Sequence, residues 1–318
     1  MLLNDDDLTF AKVRLDPRSM QTLISSIGTI SESLPRALCW AAAWDMTRDA
    51  ELAARDYVRL VLSGIDAEDD IGVVQSLLAK AELAIDSYGD PANRSAALRQ
   101  LCARAEELMR AAPPGSDMQL VFATAFAHAE DPDQVARVRA IFEGEDVVEG
   151  LVLDTELRWT LLTQLVARGV YGDAEIDAEL ARDQTATGEK RARTARSARP
   201  TPEAKAEAWS AVMDSDALSN HLQVATMSGF WMPDQLELTR PYVERYFEQI
   251  GEIWRTRTFD SAQTITQMLF PAAVIDQSTV DATDAYLAER DPAPALRRAL
   301  MERSEEHTSE LQSLRHLV

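Results

Sequence analysis

From Asp16 to Glu302 the chain repeats one device: a polar cap, often followed at once by proline, then a run with apolar side chains three and four residues apart. Asp16-Pro17, Asp131-Pro132, Thr201-Pro202 and Asp291-Pro292 are its clearest instances. Proline at the first helical position gives up an N–H that the helix could not use, and its fixed φ suits the helix. Leu38, Ala42 and Met46 share one face, as do Val58, Leu62 and Ile65, and Leu157, Leu161, Leu165 and Val166. With 12 Gly and 13 Pro in 318 residues there are few breaks. The pattern predicts about sixteen helices, at 17–27, 34–47, 51–63, 70–88, 93–112, 117–129, 132–142, 155–168, 174–182, 188–198, 202–213, 219–229, 235–257, 261–269, 277–289 and 293–302.

Short connections between such helices favour antiparallel hairpins. No strict sequence period recurs, so tetratricopeptide and ankyrin arrays are excluded by motif. The expected fold is all-α: a superhelical stack of antiparallel helix pairs, like irregular HEAT or armadillo repeats, with a concave face. No domain boundary is visible within 16–302. Gly144 to Gly150 and Gln184 to Gly188 are the candidate bends.

Both ends depart from this pattern. Residues 1–15 read as two short extended pieces around the acidic turn Asp5-Asp6-Asp7. A lone strand pair cannot cover its face or satisfy its edge. It is therefore expected to be the remnant of an upstream β domain, which makes the chain a C-terminal piece of a larger protein. At the other end, Arg303 to Ser313 back-translates to a string resembling a sequencing-library adapter read in frame. Residues 303–318 are accordingly read as an adapter artefact and set aside, so His307 and His316 are not counted as ligands.

The formal net charge of −21 repels phosphate backbones and excludes a nucleic-acid partner. It suits solubility, and it would attract cationic ligands such as peptides with a free amino terminus. No apolar run approaches a membrane span, and no signal peptide opens the chain. Cys39 and Cys102 lie apart on apolar helix faces, which predicts two buried free thiols in a reducing, cytoplasmic setting.

Little in the chain offers chemistry. H-E-x-x-H, C-x-x-C, G-x-S-x-G and phosphate-binding glycine loops are all missing, so neither catalytic nor metal-binding residues are expected. His128 and His221 are far apart and lack a metal-ligating neighbour one turn away; both read as structural or surface residues. The acidic clusters Asp5-Asp6-Asp7, Glu68-Asp69-Asp70 and Glu143 to Asp146 lack the alternation of a calcium loop and read as turns and N-caps. One basic stretch runs from Lys190 to Arg199. Its Arg193, Arg196 and Arg199 could take a substrate carboxylate, or pair with helix acids such as Glu189 and Glu203. Gly229-Phe230-Trp231-Met232-Pro233 reads as a helix stop. Tyr242, Tyr246 and Phe247 share a helix face, suited to core packing or to a ligand-binding wall.

These segments together resemble one family. Leu3 to Asp16 is similar to the junction between the small β domain and the helical C-terminal domain of aminopeptidase N, especially the actinobacterial type. Ala37-Leu38-Cys39-Trp40, Trp44-Asp45-Met46, and Ala53 with Arg55-Asp56-Tyr57 resemble that domain's early helices. So do Asp154 to Trp159, Gly229-Phe230-Trp231 and Pro241 to Phe247, further along. The resemblance runs from about 2 to 302 and rests on the order and spacing of the segments. It implies a zinc aminopeptidase that removes N-terminal residues from peptides, with its H-E-x-x-H zinc site and G-A-M-E-N motif in an upstream catalytic domain. It also implies that this region is a helical bowl over the active site which admits peptide and is not catalytic alone. The implied partners are the upstream catalytic domain of the same polypeptide and a peptide substrate; the zinc belongs to the parent enzyme, with no cofactor in this chain. Two other readings stand beside it: a free-standing helical scaffold binding a protein or peptide, and a helical enzyme with an unrecognised site.

Overall fold

The computed structural model describes residues 4, 6–9 and 11–316. Among them there are seventeen α-helices and no strand. The extended pair expected in residues 1–15 is therefore not found where the chain is described; residues 1–3, 5 and 10 lie outside the described set. Local side-chain bonding replaces cross-strand pairing here. Asn4 Oδ1 accepts from the Thr9 N–H at 3.0 Å, and Asn4 Nδ2 donates to Thr9 O at 2.9 Å. Asn4 and Asp7 both take positive φ, which asparagine and aspartate tolerate in turns. Lys12 and Arg14 then pair with Asp49.

By contact the chain divides into two compact units, one up to Val152 with the residues from Ser309 on, the other Leu153–Thr308. The sequence shows no break there, although the glycines of the 144–150 bend lie just before it. Gly144 ends a helix in the left-handed conformation, and a Cβ on Gly150 would meet the backbone N of Gly115 at 2.5 Å.

The first unit holds α1 (Pro17–Ser26), α2 (Ser33–Arg48), α3 (Ala54–Gly64), α4 (Ile71–Leu83), α5 (Arg94–Ala111), α6 (Asp117–Phe126) and α7 (Pro132–Glu143). Asp16 caps α1 by accepting from the Arg18 and Ser19 N–H groups, and Asp131 caps α7 in the same way. Helices pack on their sequence neighbours and on the helix after next, as in α1 on α3, α4 on α6 and α5 on α7. That is the pairing of a helical stack. Tyr57, Leu60, Val61, Val74, Ala81 and Met109 are fully enclosed. The predicted helix 70–88 changes pitch, closing with a π-helical turn at Ala84–Tyr88.

The second unit begins with α8 (Thr155–Ala167), α9 (Asp173–Arg182), α10 (Ala186–Ala198), α11 (Pro202–Met213) and α12 (Asn220–Ser228). It continues through α13 (Leu236–Thr239), α14 (Tyr242–Thr256), α15 (Phe259–Leu269) and α16 (Gln277–Glu289) into α17 (Pro294–His316), of which the part up to Thr308 belongs to this unit. The single helix expected over 235–257 is two, because Pro241 cannot donate to the ladder. The expected cap at Asp291-Pro292 is not used. Pro294 holds Ala293 out of the helical region, so α17 starts after it. α17 runs through 303–316, the stretch set aside from the sequence, and buries the His307 ring against Phe270. Tyr242, Tyr246, Phe230, Trp209, Ile250 and Ile265 form the core, with Phe247 partly buried beside them.

Candidate functional site

The basic stretch forms the outer side of α10. Thr185 starts this helix by accepting from the Gly188 N–H at 3.0 Å. Ala192, Ala195 and Ala198 make a fully buried stripe, and α10 packs on α8, α9, α11 and α12. A Cβ on Gly229 would meet the Thr194 carbonyl at 2.2 Å, so α12 approaches α10 as closely as backbones can. The sequence placed a helix end at Gly229, and it is one; yet its φ is −96°, so glycine is required by proximity and not by handedness.

The three arginines fare differently. Arg196 pairs with Asp177 of α9, and Arg199 bridges Asp173 of α9 and Glu207 of α11. The neighbouring Arg191 pairs with Glu156 of α8. The acids therefore come from packed helices and not from Glu189 or Glu203. Arg193 is half-buried and has no ion pair among the described residues.

Beneath this face lie polar groups that the sequence did not flag. Lys205 is fully buried, and its ammonium donates to Ser197 O at 2.9 Å, Gly229 O at 3.2 Å and Phe230 O at 2.9 Å. Burial pushes its pKa down to about 7, with the charge of Asp234 opposing. The carbonyls at the ends of α10 and α12 occupy all three of its protons, holding the charged form below that pH. Gln235 Nε2 donates to Ala167 O at 2.8 Å and Ala198 O at 2.9 Å, tying the ends of α8 and α10. Arg158 grips the buried Glu179 through two bonds of 2.8 and 2.6 Å, and Trp159 donates to Asp183 at 2.9 Å. A signal for Lys205 does exist. It shares a helix face with Ala208, Trp209 and Val212, where a lysine must bury its head or leave the core.

The remaining candidates are structural. Asp70 caps α4, and Glu68 is buried under Arg36 (Nε to Oε1 2.9 Å) and Trp40 (2.7 Å). Those bonds outweigh burial and hold the Glu68 carboxyl below its usual range. His128 is hydrogen-bonded to Glu82. His221 is exposed in the first turn of α12. Cys39 and Cys102 are both free and buried, as expected. Tyr242 and Tyr246 are core residues, the latter donating to Thr266 O at 3.0 Å.

Zinc does not fit these residues. Among the described residues no three His, Cys, Asp or Glu side chains converge to hold a metal. No described helix is long and apolar enough to cross a membrane.

Lys205 and Gln235 thus tie helix ends together within an all-helical stack. Residues 1–308 match the family described as the ERAP1-like C-terminal domain, and the chain belongs to that family. It is also 52% identical over 303 residues to aminopeptidase N of Streptomyces lividans. That alignment covers 95% of this chain and 35% of the relative, so the chain spans about a third of the relative's length.

Proposed function

We propose that this chain is the C-terminal helical domain of a zinc-dependent aminopeptidase N, not catalytic by itself. It packs on an upstream catalytic domain of the same polypeptide, forms the bowl over that domain's active site and admits peptide. The observation that carries this reading is the 52% identity to aminopeptidase N along almost the whole chain. Residues 1–15 would continue an upstream β domain, 16–302 the helical domain, and the adapter-like 303–318 would lie outside the native product. We assign the protein to the cytoplasm, in keeping with two free buried thiols. Of the three arginines, Arg193 is best suited to meet a substrate carboxylate, since acids already engage Arg196 and Arg199.

Two measurements test this. The purified chain with added zinc is expected to leave leucine p-nitroanilide intact, while the longer product bearing H-E-x-x-H cleaves it. Zinc-dependent turnover by the chain alone overturns the proposal. So does an upstream reading frame that encodes no H-E-x-x-H.

A further inference from the structure

The first unit contains a cleft of about 550 Å³, a volume in the range of small-ligand sites. Its walls are α4 and α6, and α5 supplies the floor with Leu98 and Leu101. Leu78, Leu120 and Val121 complete an apolar trough. The Glu82–His128 bond joins the last turn of α4 to the residues just past α6, so these two helices run parallel and the trough follows them. From Ile71 to Glu82 it extends roughly 16 Å at the helical rise.

The permanently charged side chains of its lining are both acidic. Asp117 lies toward one end and Glu82 toward the other, and no Lys or Arg lines the cleft. Glu82 is about a third exposed, and a carboxylate bonded to one imidazole nitrogen keeps further lone pairs for a second donor. The C-terminal end of α6, which carries the negative end of its dipole, lies on the Glu82 side. Nearby, Arg94 is engaged by Glu130 (2.6 and 2.8 Å) and Asp86 (2.8 Å), so it does not supply Glu82 with a partner. An anion would find no lysine or arginine in this lining, and the His128 ring is bonded to Glu82, whereas an ammonium group would find the Glu82 carboxylate.

We propose that this cleft binds a small organic cation, its primary ammonium on Glu82 and its apolar body along Leu78, Leu98, Leu101 and Leu120. The proposal does not depend on the aminopeptidase reading.

Calorimetric titration of the full chain with 2-phenylethylamine, 2-phenylethanol and 3-phenylpropionate tests the proposal, with leucine methyl shifts locating the site. The amine should bind about tenfold more tightly than the alcohol, as a charge-assisted hydrogen bond implies, and the acid should not bind. Glu82→Gln should erase the preference for amine over alcohol. Thr124→Trp, at an exposed position on the lining, should weaken both. Equal binding of amine and alcohol overturns the proposal, as does a preference that survives E82Q. Shifts outside α4, α5 and α6, or no binding of any probe, overturn it too.

Discussion

Lys205 shows how one side chain can hold several elements. Its three acceptors are carbonyls near the ends of two helices, and the side chain that reaches them is fully buried. Lys205→Met keeps the volume but leaves those carbonyls without their donor. We expect a loss of about 2–4 kcal/mol in urea unfolding, larger than for methionine at an exposed lysine. Asp86 gives a pH signature. Burial pushes its pKa up to about 6, despite the Arg94 guanidinium at 2.8 Å. Between about pH 4 and 6 the folded chain therefore holds a proton that the unfolded chain has released, so this group's contribution to stability falls as pH rises through that window. Asp86→Asn has no such proton. The stability of the parent minus that of D86N should decline from pH 4 to pH 6.5; a flat difference would show that Asp86 titrates normally in the fold. Neither residue announces itself in the sequence. Asp86 looks like any helical acid, and only the π-turn and the Arg94–Glu130 pair enclose it.

At the scale of elements, α10 and α12 meet through small residues. Ala192, Ala195 and Ala198 face inward, and Gly229 lies against the Thr194 carbonyl. Gly229→Ala adds one methyl where a backbone already stands, so the helices must part. We expect about 1–3 kcal/mol of destabilisation in thermal or chemical unfolding, although alanine has no difficulty with φ of −96°. Helices of this kind are easily read from sequence because caps and periodicity act within a few residues. Asp16, Asp131 and Thr201 each cap the helix predicted for them. Errors arise where two local signals compete. Pro294 overrides Pro292, Pro241 divides a long apolar run, and the Asn4 side chain replaces a strand partner. The ion-pair partners of Arg196 and Arg199 lie 19, 26 and 8 residues away, on other helices, where periodicity says nothing about what is near.

For the whole molecule, the family is set by residues 1–308 and the function is proposed for something longer. If the bowl reading holds, truncating the longer enzyme before residue 16 should spare cleavage of a small chromogenic substrate more than cleavage of a decapeptide. Equal loss on both would place the domain's effect at the catalytic centre and not at peptide admission. The ties made by Lys205 and Gln235 also decide where inheritance can damage this stack. All five of their acceptors are main-chain carbonyls, which every amino acid carries. Substitution elsewhere along α8, α10 and α12 leaves those acceptors chemically intact, so for these hydrogen bonds, as distinct from the close packing at Gly229, the genetic vulnerability is concentrated in two codons, 205 and 235.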